Sequence, residues 1–260
     1  MNQSCLYCYR TLEEGQVGFH ESCATDLFGC STVSSYPFAG DVGELYRVEE
    51  SREGYIPQLE ALAMRFAQSA LILTVPNTLV PSADGTLRYI KKWDSSRQSI
   101  EQLIESLDGC EFDGSFEMIS ELVEDFSSIA KLDLVTLFEQ LIVGWVVGCN
   151  NLGLSSFALT RPNAGVCSLA PIMTLEPQID SAGDELAVEV NGKRKNLRRA
   201  DFESAMRFMG LKDRIIRITI EKIINAREQW EQIAEPSPLD EEIKSRFWAL
   251  VCARLSRLNK

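Results

Sequence analysis

The most apolar stretch of the chain lies near its middle and predicts a core helix. Apolar side chains cover nearly every face of residues 132–147, which is the pattern of a helix buried on all sides. A polar loop at 149–157 follows, and then a predicted hairpin with strands at 156–160 and 166–173 around a turn at 161–165. A buried helix that ends in a polar loop can hold functional groups on a rigid base.

The residues before this helix have shorter patterns, which predict a small α and β unit. An amphipathic helix is expected with Pro57 in its first turn, and Asp84-Gly85 is a hairpin signal. Residues 30–54 have little periodicity and are expected to form a linker. The predicted elements are a short strand at 45–48, a helix at 57–73, strands at 71–75 and 79–81, and a strand at 87–93.

Helical periodicity dominates after residue 94. A second hairpin is marked by Asn191-Gly192, between a strand at 186–190 and a basic strand. The predicted helices are 99–107, 115–129, 199–209, 212–233 and 239–258. The chain is therefore expected to have an α+β fold with a mostly helical C-terminal part.

Charge and composition exclude several classes of protein. The chain has 260 residues and a net charge of −12, which disfavours binding to nucleic acid or to anionic membranes. No long uncharged apolar run or signal pattern is present, so we expect a cytoplasmic protein. The basic stretch 193–199 is expected to be a solvated turn and helix start, the alternative being an anion or partner contact. Four scattered cysteines are expected to be buried: Cys110, Cys149, Cys167 and Cys252.

The remaining cysteines include three that predict a metal site with the chain's one histidine. Cys5, Cys8, His20 and Cys23 form the pattern C-x2-C-x11-H-x2-C. Four such ligands close a tetrahedral zinc site and leave no open position, so the zinc is expected to be structural. A module of about thirty residues has little core of its own, and metal binding would supply its folding free energy. The alternative is a redox or merely buried cluster.

Several blocks, taken in order, resemble the HipA-like serine/threonine kinases, which are toxins of toxin–antitoxin modules. The version resembled is preceded by a small zinc-binding module. The blocks are the Cys/His pattern with 28–29, the helix 57–60 with Met64 and Ala67, the hinge strand 89–94, the catalytic loop 148–159, the metal-binding segment 169–174, and 191–202 with the closing helices. The resemblance implies a protein-kinase-like fold with a zinc module at 1–30, a reduced N-lobe at 31–95 and a helical C-lobe at 96–260.

The same resemblance implies that the catalytic residues have been lost. The catalytic aspartate of the family falls on Asn151, and its magnesium-binding aspartate falls on Thr174. The loop His, Lys and Asn of the family fall on Gly153, Ser155 and Ser156. Glu60 is retained, but no lysine precedes Lys91, so the phosphate lysine of the family has no counterpart. These substitutions predict a pseudokinase that binds neither ATP nor magnesium. Its expected partner is a protein, either an antitoxin or a related kinase-family protein.

Two alternatives remain open at this point. In an active serine/threonine kinase with relocated groups, Asp180, Asp184 or Glu185 would hold the metal, and Lys91 or Lys92 would reach the phosphates. We favour a solvated acidic loop and exposed strand lysines. The other alternative is nucleic-acid binding by the zinc module, which is disfavoured because residues 1–29 contain one Arg and no Lys. Without a second histidine, nucleophilic catalysis of another class has little to work with.

Overall fold

The fold is mixed α and β. A computed structural model describes residues 4–30, 46–48, 54–82, 85–163 and 165–260, and within them two three-stranded sheets lie among helices. Most of the predicted linker at 30–54 falls outside the described residues. The elements in chain order are α1 (Glu21–Phe28), β1 (Tyr46–Val48), α2 (Ile56–Ser69), β2 (Asn77–Pro81), β3 (Leu87–Lys92), β4 (Arg97–Ser99), α3 (Ile100–Glu105), α4 (Phe116–Phe126), α5 (Ala130–Val146), β5 (Ala158–Asn163), β6 (Val166–Leu169), α6 (Arg199–Phe208), α7 (Asp213–Asn225), α8 (Arg227–Ala234) and α9 (Glu241–Leu258). No helix in these ranges is both long and apolar enough to cross a bilayer.

The first sheet is antiparallel in the order β1-β3-β2. The predicted strands at 45–48 and 87–93 are confirmed within the described residues, and β2 begins earlier than predicted. The predicted strand at 71–75 is wrong. The chain turns at Leu71, whose N–H donates to the Gln68 carbonyl at 2.9 Å, and beyond this turn Thr74 forms only an isolated parallel bridge with Ile172.

Helix α2 packs against the C-terminal helices as well as the first sheet. The ring of Phe66 stacks on that of Trp230 with centroids 5.0 Å apart and contacts Phe247 at 5.7 Å. The indole N–H of Trp230 also donates to the Phe66 carbonyl at 2.9 Å. The predicted helix at 212–233 is in fact two helices, α7 and α8, joined at Ala226. This joint redirects the chain so that Trp230 reaches the face of α2.

The predicted core helix is confirmed as α5. Phe138, Leu141 and Trp145 are fully buried in it, as expected from its apolar faces. The loop that follows folds back over α5 at Gly144, where a Cβ atom would lie only 2.4 Å from the Cδ1 of Leu152. Glycine at this position therefore lets the polar loop approach the helix closely.

The second sheet corrects the predicted hairpin. Strand β5 covers 158–163 instead of 156–160, and β6 ends at Leu169 instead of continuing to 173. Asp133 on α5 accepts the N–H of Leu169 at 2.6 Å, and Gln140 donates to the Ala170 carbonyl at 2.9 Å. These side chains hold the backbone at residues 169–170 against α5, so the chain leaves the sheet after Leu169. The sheet gains β4, which the sequence does not predict.

Two further predictions need correction. The hairpin at Asn191-Gly192 is reduced to a single bridge between Val190 and Lys193, because the N–H groups of residues 185 and 186 donate to the carbonyl of Arg194. Of the four cysteines expected to be buried, Cys149 and Cys167 are buried, whereas Cys110 and Cys252 are partly exposed.

Candidate functional site

The four predicted metal ligands come together near the N-terminus. The ligand atoms of Cys5, Cys8, His20 and Cys23 all lie within 4.8 Å of one another. Cys5 and Cys8 lie in a tight turn that the Tyr9 N–H closes on the Cys5 carbonyl at 2.9 Å. His20 and Cys23 lie at the start of α1. Sulfur atoms around tetrahedral zinc would be about 3.8 Å apart, so the cluster has the size of a metal site.

The hydrogen bonds of His20 also fit a metal ligand. Its Nε2 lies 3.0 Å from the Thr11 carbonyl oxygen, which can only accept, so we assign the hydrogen to Nε2. The lone pair of Nδ1 then points towards the sulfur atoms, at 3.3 Å from Cys8 and 3.9 Å from Cys23. Metal-bound histidines commonly have this second hydrogen bond, which fixes the ring and its tautomer. Three thiolates and this imidazole can hold one metal ion.

The cluster is packed against the first sheet. Cys5, Cys23 and Phe19 form an apolar cluster with Val80 and Ile90 of β2 and β3. Elsewhere in this contact, the Thr78 hydroxyl donates to the Leu6 carbonyl at 3.3 Å. The Arg65 guanidinium of α2 lies 4.2 Å from the centroid of the Tyr7 ring. The segment with the Cys/His cluster is therefore attached to the sheet and to α2.

A second candidate site is a cleft bounded by both sheets. It has a volume of about 400 Å³, which is within the range of small-molecule sites. Three of the positions where the resemblance implies a lost catalytic residue line it: Ser155, Ser156 and Thr174. The other lining residues are Lys91, Trp93, Arg97, Ser99, Glu101, Gln102 and Met173.

Lys91 is buried in this cleft. The expectation of exposed strand lysines holds for Lys92 but is wrong for Lys91, which is only 8% exposed. Burial lowers the pKa of Lys91 to about 8, although the nearby Glu176 carboxylate favours the charged form. The cleft therefore contains an amine that loses its proton more easily than an ordinary lysine.

The predicted positions Asn151, Thr174 and Glu60 each make a side-chain hydrogen bond near this cleft. The amide of Asn151 donates to a carboxylate oxygen of Glu176 at 3.0 Å. The hydroxyl of Thr174 donates to Glu60, which is fully buried on α2. Glu176 is missing from the residues chosen by sequence because the family motif ends at Thr174. The only sequence signal for Glu176 is its acidic side chain, two positions after the end of that motif.

Ser156 has a structural part in the loop. Its hydroxyl accepts the N–H of Gly153 at 3.1 Å, and its carbonyl accepts from the Arg97 guanidinium at 2.9 Å. Burial lowers the pKa of Arg97, while Asp94 opposes that shift. These bonds hold the loop against β4, and they occupy the side chain of Ser156, on which the resemblance places the loop Asn of the family.

The acidic residues considered as relocated metal ligands do not join the cleft. Glu185 accepts hydrogen bonds from both terminal nitrogens of Arg257, at 2.8 and 2.6 Å, and from the indole of Trp145. Partial burial raises the pKa of Glu185, but these bonds outweigh it and lower the pKa to about 2. Asp180 forms an ion pair with Arg246. The expected solvated acidic loop is therefore wrong for Glu185, which is a partly buried anion held by hydrogen bonds.

The basic stretch 193–199 makes ion pairs within the protein. Lys193 lies 2.6 Å from Asp201, and Arg199 lies 2.7 Å from Glu203. Arg194 lies 3.5 Å from Glu189. These carboxylates reduce the positive field of the stretch, so an anion site here is not supported.

Comparison with known proteins identifies the fold. No protein-family model and no curated protein matches the chain. Its structure is similar to HipA of Shewanella oneidensis MR-1, in a toxin–antitoxin complex with HipB and operator DNA, with a TM-score of 0.62 at 12% identity over 83% of this chain. It is also similar to the Helicobacter pylori proinflammatory kinase CtkA, with a TM-score of 0.62 at 13% identity over 82% of this chain. This chain covers 58% of that HipA chain and 85% of CtkA. The protein therefore has a HipA-like kinase fold.

Proposed function

We propose that this protein, with its HipA-like kinase fold, is a pseudokinase that acts as a non-catalytic binding or regulatory protein of a toxin–antitoxin-type system. Phosphoryl transfer needs a carboxylate near the attacking hydroxyl, charged oxygen ligands for magnesium, and cationic or amide groups on the phosphates. The proposal depends on what occupies these positions here.

The hydrogen bond between Asn151 and Glu176 carries the proposal. The Asn151 amide donates to Glu176 at 3.0 Å, so the position of the catalytic base holds a donor that cannot take a proton from a substrate. Thr174, at the position of the metal-binding aspartate, donates its hydroxyl to Glu60. A hydroxyl is a weak replacement for the charged oxygens that magnesium prefers. We infer that both positions now stabilise the loop.

A second candidate function is supported by Lys91 and Glu176. The Glu176 carboxylate lies near enough to the buried Lys91 to favour its charged form. In an active serine/threonine kinase with relocated groups, the two residues would serve as phosphate and metal contacts. We rank this candidate second because Asn151 uses one oxygen of Glu176.

We also propose the division into a zinc module at 1–30, a reduced N-lobe at 31–95 and a helical C-lobe at 96–260. The ligand set and the His20 hydrogen bond support structural zinc in the module. We propose that the protein is located in the cytoplasm and that its partner is a protein, either an antitoxin or a related kinase-family protein. The HipA neighbour forms such a complex with HipB. Direct contact with nucleic acid is not proposed, since the module has one Arg and no Lys.

Intact-mass spectrometry tests the proposal. The folded protein is incubated with ATP, magnesium and a general protein substrate, and any phosphate added to either protein is measured. We expect none above the level of a heat-denatured control. Phosphate incorporation that is lost in Glu176→Gln and kept in Glu189→Gln would overturn the proposal and establish the second candidate.

A further inference from the structure

A concavity that the cleft and the metal cluster do not explain lies beside the Cys/His cluster. It has a volume of about 720 Å³ and lies between the cluster segment, the end of α2 and helix α8. We call it the leucine groove. The lining residues that matter here are Tyr7, Arg10, Arg65, Leu71, Leu73 and Ile233.

Leu71 occupies a position where the fold itself favours glycine. It follows the last turn of α2 with φ +57°, in the left-handed region that disfavours a side chain. Its N–H donates to the Gln68 carbonyl at 2.9 Å, and its own carbonyl accepts from Lys222 at 3.1 Å. A glycine would keep both backbone bonds. The side chain is 82% exposed, so packing within the described residues does little to offset the unfavourable conformation.

A second leucine is displayed nearby. Leu73 is 65% exposed, whereas Ile72 between them is buried. Both leucines line the groove, and the buried Ile72 anchors the segment between them. Two exposed leucines at the edge of a groove form an apolar contact surface that the described residues leave uncovered.

The groove also has basic lining residues, although the chain as a whole is acidic. Arg10 and Arg65 line the groove together with one acidic residue, Asp26, and the net charge of the chain is −12. The Arg65 guanidinium lies over the Tyr7 ring at 4.2 Å. A guanidinium held on an aromatic ring is suited to pair with a carboxylate.

We propose that the leucine groove binds an extended segment of a protein partner in which leucine-like side chains lie next to aspartate or glutamate. The apolar side chains contact Leu71 and Leu73, and the carboxylates pair with Arg10 and Arg65. The inference rests on the proposed function, because a non-catalytic protein acts through what it binds. The net charge of −12 argues against an anionic membrane surface as the ligand of these residues.

Fluorescence anisotropy with synthetic peptides tests the inference on the full, zinc-loaded chain. The probes are fluorescein-labelled peptides with a central Leu-x-Leu flanked by Asp and Glu, a set with Lys at the flanks, and a set with Ser in place of Leu. We expect the acidic leucine set to bind about tenfold more tightly than the other two. Arg65→Gln is expected to remove the preference for acidic flanks.

Leu71→Gly gives the sharpest comparison, since it is expected to weaken binding about tenfold while keeping or raising the melting temperature. Leu132→Ser, at an exposed leucine outside the groove, is the matched control and is expected to bind as wild type. Equal binding of the acidic and lysine sets, or unchanged binding by Leu71→Gly, would overturn the inference. Binding of the wild-type protein to phosphatidylserine vesicles, or its dimerisation, would also overturn the inference if Leu71→Gly abolished it. None of these outcomes changes the phosphorylation test of the pseudokinase, so the two proposals fail separately.

Discussion

Replacing Glu185 by Gln tests whether this carboxylate is structural. Glu185 joins the loop after the second sheet to α9 through Arg257 and to α5 through Trp145. The backbone N–H of Leu197 donates to it as well, at 3.1 Å. A glutamine keeps the shape but removes the charge, and its NH₂ group would face a guanidinium.

The size of the effect follows from the pKa. The pKa of Glu185 falls from its usual 4.5 to about 2 in the folded protein. Each pKa unit corresponds to about 1.4 kcal/mol. That sets an upper value of about 3 kcal/mol. The Arg257 side chain is 30% exposed and water screens the pair, so we expect Glu185→Gln to lose about 2 kcal/mol. Because the folded pKa is lowered, the contribution is complete above pH 4.5 and disappears as the pH falls towards 2.

Urea unfolding at several pH values measures this contribution. The stability difference between wild type and Glu185→Gln is expected to be about 2 kcal/mol at pH 7 and to shrink below pH 4.5. Glu189→Gln is the control, because Glu189 is 43% exposed and lies 3.5 Å from Arg194, a pair worth less than about 1 kcal/mol. The reasoning is refuted if Glu185→Gln and Glu189→Gln lose the same stability, or if the difference does not depend on pH.

Three further predictions concern the core helix, the cleft and the metal cluster. Gly144→Ala is expected to lower the unfolding free energy by about 1–2 kcal/mol, since overpacking against Leu152 exceeds the gain in helix propensity; a urea midpoint equal to wild type would contradict this. Lys91 has a lowered pKa of about 8 in the folded protein, so the unfolded chain binds this proton more tightly than the folded protein does. Wild type should therefore gain about 3 kcal/mol relative to Lys91→Met as the pH rises from about 8 to 10.5, and parallel stability curves would exclude the shift. Cys8→Ser is expected to reduce zinc, measured by atomic absorption, well below one ion per chain, while Cys110→Ser keeps it; equal zinc in both would show that the ligand assignment is wrong.

Local sequence patterns were sufficient for the metal cluster and for most helices. The C-x2-C-x11-H-x2-C spacing already predicts which four residues come together, because two short turns are enough to join the pairs. The apolar faces of α5 and the serine caps of α3 and α4 likewise act within a few residues. Such elements depend little on the rest of the chain.

The burial of Lys91, the end of β6 and the partners of Glu185 could not be predicted because they depend on distant contacts. Whether Lys91 faces solvent or the cleft depends on which face of β3 is covered by other elements. The end of β6 is decided by Asp133, 36 residues away, which captures the Leu169 N–H. Glu185 looks like part of a solvated acidic loop until Arg257 arrives from 72 residues further along. Sequence periodicity contains no information about such pairs.

Calorimetric titration with ATP, with and without magnesium, tests the pseudokinase proposal most directly. The protein is first shown to be folded and to contain zinc, and melting temperatures are measured in parallel. The proposal predicts neither heat of binding nor a rise in melting temperature, because Asn151 and Thr174 provide no charged metal ligands. Magnesium-dependent binding tighter than about 1 mM, roughly −4 kcal/mol, that disappears in Glu176→Gln would contradict it and show that the cleft has rebuilt a nucleotide site.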